Sequence, residues 1–150
     1  MGVFYNMIEK IYLRLEGNKV YTDSLTRVKS RVYYDEVAKI KYQPKSINVI
    51  FVDINNLKSI NDTYGHNVGS ELVRNVAVAL INKYPNCDIC RIGGDEFVIF
   101  TEDKHIDEDL RLDERISTGS YFKEIYEDVS SAVAKADAIM YKNKKLSKAL

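Results

Sequence analysis

The sequence predicts an α/β (α+β) sandwich, helices packed on one mostly antiparallel sheet. Three observations carry this. Residues 47–54 read INVIFVDI, the near-continuous, β-branched run of a strand covered on both faces. Two short apolar runs flank Gly93-Gly94-Asp95-Glu96, the pattern of a tight hairpin. Before, between and after these runs, apolar residues recur at helical spacing.

Taken in order, Phe4, Met7, Ile8, Ile11 and Leu15 lie on one face of an N-terminal amphipathic helix that Gly17 and Asn18 stop. Thr22 or Asp23 can cap a second helix through about Tyr42, with Leu25, Val28, Val32, Val37 and Ile40 apolar and Pro44 as its breaker. After the central strand, Lys58–Tyr64 is a short helix ending at Gly65. Asn67 opens a longer one with Val68, Leu72, Val76, Ala79 and Leu80 on one face, ending before Pro85. Asp88–Ile92 and Phe97–Thr101 are the hairpin strands. Glu102–Glu114 is acidic and weakly patterned, read as loop or irregular helix. Arg115–Phe122 is a last strand, and Glu124–Lys145 a last helix with Ile125, Val129, Val133, Ala136, Met140 and Tyr141 inward.

A chain of 150 residues is one small domain, with no linker or internal repeat. Hydrophobic residues at 45% and charged residues at 29% argue against disorder. Lysine plus arginine (22) equals aspartate plus glutamate (22), which excludes a globally basic nucleic-acid binder. No apolar run approaches the ~20 residues of a membrane span, and the N-terminus lacks a secretion signal. Two cysteines are too few for a disulfide framework. The expected setting is the cytoplasm, without nucleic-acid or membrane partners.

The chemistry concentrates in acids. Asp53 ends the most buried strand, and Asp95 and Glu96 sit on the hairpin tip. A carboxylate there is badly placed for core packing and well placed for a hard divalent cation that also takes phosphate oxygens. The plainer reading is that Asp53 caps the next helix and the hairpin is only a turn. Spacing alone leaves both open.

Gly93-Gly94-Asp95-Glu96-Phe97 resembles the signature of the GGDEF family, the diguanylate cyclases. Other segments are similar to that family in the same order: Asp23-Ser24-Leu25-Thr26 with Arg31; the run from Phe51 to His66; Ser117-Thr118-Gly119; and Ala136-Asp137 through Lys144. The resemblance covers Asp23 to Leu150. It divides the chain into an N-terminal helix (1–22) and a compact cyclase-like unit (23–150).

It implies a palm-like, ferredoxin-like antiparallel sheet flanked by helices. Asp53, Asp95 and Glu96, with the Ile54 backbone, would hold Mg²⁺ or Mn²⁺. The backbone from Ile54 through Asn56 and Leu57 would wrap the triphosphate, and Lys58, Lys144 and Lys148 would neutralise it. Asn61 would bond the purine, and Gly93 and Gly94 would let the hairpin approach nucleotide. Family enzymes pair, so a homodimer or higher oligomer is expected, joining two purine NTPs into a cyclic dinucleotide second messenger.

Several departures qualify the likeness. The guanine-reading aspartate of the family is Ser70 here, whose hydroxyl donates or accepts. A subset of the family with serine there accepts ATP as well as GTP, so an ATP-accepting enzyme making a cyclic di-AMP or cyclic GMP-AMP type product is expected; the alternatives are an ordinary diguanylate cyclase or a catalytically degenerate nucleotide-binding module. The inhibitory Arg-x-x-Asp is absent, with Tyr84 and Cys87 in its place. The segment from Phe97 to Ser117 is too short for the family's long helix, leaving one sheet face thinly covered unless a dimer or the N-terminal helix covers it. Asn55 replaces the usual second aspartate, which weakens activity if that acid binds metal. A second resemblance, to minimal CRISPR-polymerase-like cyclases of antiphage systems, fits the short form. A regulatory partner chain is expected, since the first twenty residues resemble the stub of a signalling helix.

Other features carry less. Cys90 reads as a small buried hydrophobe, His66 as a structural cap, and the eleven tyrosines as nothing specific.

Overall fold

The computed structural model describes residues 2–15, 20–103 and 110–149. Helix α1 is Gly2–Leu15. Helix α2 runs from Arg31–Tyr33 through a π turn at Tyr34–Ala38 to Lys39–Lys41. Strand β1 is Ile47–Ile54, followed by α3 (Leu57–Tyr64) and α4 (His66–Lys83). Strands β2 (Asp88–Arg91) and β3 (Glu96–Thr101) form the hairpin. A 3₁₀ turn at Leu110–Leu112 precedes β4 (Ile116–Lys123), and α5 is Val129–Lys148. The four strands pair antiparallel throughout in the order β2-β3-β1-β4.

This order puts β1 in the interior, and all eight of its residues are buried. Val49 and Phe51 face α2 and α5 with Tyr33, Ala38, Ala132 and Ala136. Ile50, Val52 and Ile54 face α4 with Val73, Val76, Ala77 and Leu80. An apolar run without alternation is what a strand with a core on each side requires.

Helix α2 starts later than Thr22 or Asp23. Arg27 takes the left-handed region (φ 66), the chain doubles back, and Thr22 pairs with Lys29. Asp23 caps this turn by accepting from the Thr26 amide (2.9 Å) and hydroxyl (2.7 Å), and Ser30 caps the helix. The π turn shifts the helical phase, so Tyr33, Tyr34 and Ala38 are buried while Val32 and Ile40 are exposed.

The tyrosines do carry information. Tyr42 stacks on Phe100 at 4.3 Å, and the Tyr33 and Tyr42 hydroxyls donate to Asp88 (2.9 and 2.7 Å). Lys41 donates to the same carboxylate (3.1 Å). Burial opposes its ionisation, but Lys41 and the phenols hold Asp88 below the usual carboxylate range. Glu9 of α1 accepts from Tyr33 (2.8 Å) and Lys41 (3.2 Å), which docks α1 beside α2 and β2. Helix α1 therefore does not cover the β4 end of the sheet, where Phe122 on the α4 side is 39% exposed. Of the expected apolar face of α1, Phe4 and Met7 are exposed. The stop at Gly17 and Asn18 lies outside the described residues, as do residues 104–109 of the acidic segment, His105 included.

In α4 the buried stripe is Gly69, Val73, Val76, Ala77 and Leu80, one position round from the expected face; Val68 is exposed. His66 opens α4 without a side-chain cap bond. Cys90 is fully buried, as expected. In α5, Asp128 caps by accepting from the Ser131 amide, so residues 124–128 are a turn, and Ile125 (47% exposed) and Tyr141 (56% exposed) do not face inward. No helix among the described residues is long and apolar enough to cross a membrane.

Gly119 is where α5 meets β4. A Cβ there would lie 2.2 Å from the Met140 nitrogen and 2.4 Å from the Ala136 oxygen, both backbone atoms that cannot swing aside. Gly119→Ala is expected to push α5 off the sheet at a cost of about 2–3 kcal/mol. Urea unfolding would show a lower midpoint than wild type, and an unchanged midpoint would mean that the helix packs less closely.

Candidate functional site

The register of the sheet assembles the acids. Asp53, the penultimate residue of β1, pairs with Glu96, the first residue of β3. The Ile54 amide donates to the Asp95 carbonyl (2.8 Å), fastening the hairpin tip to the end of β1. The hairpin is also held from outside. Arg31 donates to the Ile92 carbonyl (2.8 Å), and Arg91 donates to the Gly94 carbonyl (2.9 Å) while pairing with Asp23 (3.3 Å).

Asp53, Asp95 and Glu96 each bring a carboxylate oxygen within 4.8 Å of the others. Such crowding resists ionisation. Burial raises the Asp53 pKa, the adjacent Lys144 works against that rise, and Asp95 adds to it. Burial likewise raises Glu96, with Asp95, Asp53 and Asp137 contributing. Lys144 of α5 donates to Asp53 at 2.5 Å. One lysine against three carboxylates leaves excess negative charge, and an all-oxygen donor set suits Mg²⁺ or Mn²⁺.

The other expected site residues surround this cluster. Asn56 has left-handed backbone (φ 60) and leads into Leu57 and the exposed Lys58 at the start of α3. Where α3 packs on α4, the Asn61 Oδ1 occupies the place where a Cβ on Gly69 would stand, so a side chain there would displace the Asn61 amide; the half-buried Ser70 follows Gly69. Glu96 folds back over Gly93, and Gly94 is open. Lys148 is exposed, four residues beyond Lys144 on α5, and makes no bond to the cluster. Tyr84 and Cys87 line a cavity with Val28, Ile89, Arg27 and Lys29.

Sequence reasoning missed two things. One is the Lys144–Asp53 pair, which joins motifs 91 residues apart. The other is the direction of Asn55, which turns to β4 and accepts from the Ser117 hydroxyl (2.7 Å) rather than joining the acids.

An antiparallel sheet with helices on both faces and acids gathered at a strand end and a hairpin tip is the palm-like arrangement that the sequence resemblance implies. The chain belongs to the GGDEF family: the family model described as "Diguanylate cyclase, GGDEF domain" matches residues 20–120. It is 31% identical over 116 residues to "Diguanylate cyclase DosC" of Escherichia coli, covering 73% of this chain and 25% of that protein. It is 35% identical over 101 residues to "Response regulator PleD" of Caulobacter vibrioides, covering 63% and 22%. The chain thus spans about a quarter of the length of these relatives. Among solved structures, the GGDEF domain of DgcB from Caulobacter crescentus in complex with c-di-GMP superposes with a TM-score of 0.73 at 23% identity, covering 85% of this chain and 89% of that one. Diguanylate cyclase SiaD in complex with its activator SiaC from Pseudomonas aeruginosa gives 0.68 at 21%, covering 95% and 64%.

Proposed function

We propose that the chain is a divalent-metal-dependent nucleotidyl cyclase of the diguanylate cyclase type, condensing two GTP into cyclic di-GMP with release of two pyrophosphates. The observation that carries this is the convergence of Asp53, Asp95 and Glu96 in a chain of this family. This reading replaces the expected ATP preference: the named relatives favour the ordinary diguanylate cyclase. The likeness to antiphage cyclases gains nothing from them.

In this reading the three carboxylates and the Ile54 carbonyl would hold Mg²⁺ or Mn²⁺, which when bound would supply charge stabilisation for the α-phosphate and the attacking 3′-hydroxyl. The backbone at 54–57, Asn56 and Leu57 included, wraps the β- and γ-phosphates. Lys58 and Lys148 neutralise the triphosphate, and Lys144 leaves Asp53 for it. Asn61 and Ser70 hold the base, and Gly93 and Gly94 keep the hairpin backbone close to nucleotide. Two chains meet face to face, each presenting one nucleotide, so catalysis is positioning and electrostatics. The N-terminal segment (1–22), which carries α1, is then the input to the compact unit (23–150). A regulatory partner chain is part of this proposal, since one structural neighbour is bound to an activator.

The test is incubation with Mg²⁺ and GTP, ATP or both, with mass analysis of the products. Cyclic di-GMP from GTP is expected. No dinucleotide from any combination contradicts the enzyme reading and favours the nucleotide-binding module; an adenine-containing cyclic product restores the reading of Ser70 as an ATP-accepting position. Ser70→Asp should raise the preference for GTP over ATP by roughly tenfold or more, since a carboxylate accepts guanine's paired donors. An unchanged ratio would remove Ser70 from base reading.

A further inference from the structure

Asn55 lies between the metal-facing end of β1 and the turn into α3, and three of its groups point away from the acids. Its amide nitrogen donates to the Arg115 carbonyl (2.8 Å), its Nδ2 to the Glu114 carbonyl (3.1 Å), and its Oδ1 accepts from the Ser117 hydroxyl (2.7 Å). These bonds carry the β1–β4 pairing one residue beyond its last register pair, Ile54 with Ile116. Because β1 lies between β3 and β4, a side chain aimed at β4 faces away from Asp95 and Glu96. The platform it grips is itself stiff: Arg115 donates to Asp113 through Nε (3.0 Å) and Nη2 (2.7 Å).

We propose that Asn55 is a positioning residue of the nucleotide site, and that its amide, rather than an acid, is what this chain requires there. This rests on the reading of 54–57 as the phosphate-wrapping backbone. The next residue, Asn56, takes the left-handed backbone that turns β1 into α3, a conformation asparagine tolerates better than most non-glycine residues, and the bonds of Asn55 anchor that turn on its upstream side. The amide orientation is dictated by its neighbours. The Glu114 carbonyl only accepts, so it must meet Nδ2, and the Ser117 hydroxyl then donates to Oδ1. A carboxylate of the same shape keeps the Ser117 bond but sets an oxygen against the Glu114 carbonyl, where nothing donates. Restoring an acid next to the metal site therefore weakens nucleotide binding instead of strengthening metal binding.

The experiment compares wild type, Asn55→Asp and Ser117→Ala. It measures KM and kcat for GTP, the Mg²⁺ concentration for half-maximal rate, and the Kd of 3′-deoxy-GTP with Mg²⁺ by calorimetry. That probe lacks the attacking hydroxyl and binds without turnover. Asn55→Asp should raise KM and the probe Kd about tenfold, lower kcat less, and leave the Mg²⁺ requirement unchanged. Ser117→Ala should move the same quantities less, and the double variant should bind the probe more weakly than Asn55→Asp alone, since the carboxylate keeps the Ser117 bond that the second change removes. If Asn55→Asp fails to fold, Ser117→Ala carries the test through KM and probe Kd. Equal or higher activity of Asn55→Asp at lower Mg²⁺ would overturn the proposal and make position 55 a metal-ligand position. A wild type that binds the probe but yields no product sinks the cyclase reading alone, and the Kd values still judge Asn55. A wild type that neither binds nor reacts sinks both.

Discussion

Asp95→Asn is expected to lower cyclase activity by roughly a thousandfold or more and, in the absence of divalent cation, to make the fold more stable. Asp95 carries one of three carboxylates within 4.8 Å of one another, and its loss removes a third of the charge that would hold the metal. The backbone bond from Ile54 to the Asp95 carbonyl survives the substitution, so the hairpin stays in place. The gain in stability follows from the electrostatics. Asp53 and Glu96 both have folded pKa values raised above the ordinary carboxylate value, by burial and by Asp95, with Asp53 adding to the rise at Glu96. A group that holds its proton more tightly when folded makes the metal-free protein lose stability as pH rises from the ordinary carboxylate pKa through the raised one. Melting curves from about pH 4 to pH 8 should show this loss in wild type, less of it in Asp95→Asn, and its removal by Mg²⁺ in wild type only. A variant that keeps near-wild-type turnover would take Asp95 out of the metal site. A variant of unchanged metal-free stability would mean that the three acids do not repel.

Lys123→Met should be the most destabilising single change away from the site. The Lys123 ammonium is fully buried at the end of β4 and donates to the carbonyls of Gln43, Lys45 and Glu124, each at 2.9 Å. It ties the turn before β1 to the turn before α5. Burial draws its pKa down, yet the three carbonyls give each ammonium proton an acceptor. Methionine fills the stem's volume and leaves all three acceptors without that donor, a loss of about 3 kcal/mol or more. For a chain of this size that lowers the melting temperature by roughly 10 °C. Calorimetry measures it directly; a shift of only a degree or two would mean that water replaces the ammonium at little cost.

Much of this fold was readable because its signals are local. β1 announces itself by eight consecutive buried residues, and the hairpin by glycines between apolar runs. The misreadings have physical causes. The start of α2 was hidden because Asp23, a good helix cap, caps a turn instead, and the π turn at Tyr34–Ala38 breaks the 3.6-residue phase that periodicity assumes. The start of α5 differs because Gln43, 86 residues before Val129 in sequence, accepts from the Val129 amide and donates to the Glu127 carbonyl, holding the turn ahead of the helix. The core tyrosines were unreadable as such, since whether a phenol is buried depends on a distant acceptor such as Asp88. The site divides the same way. Asp53, Asp95 and Glu96 sit at ends of strands that pair, so their convergence follows from topology. The direction of Asn55 depends on which strand lies on which side of β1, which residue type does not reveal.

The most direct measurement counts pyrophosphate against cyclic dinucleotide during incubation with Mg²⁺ and GTP, over a range of chain concentrations. The predicted result is two pyrophosphates per cyclic di-GMP, a specific rate that rises with concentration as two chains meet, and no product with chelator or with Asp95→Asn. Product that forms equally well with chelator, or no product at any chain concentration, would contradict the assignment of these three carboxylates to a metal-dependent cyclase.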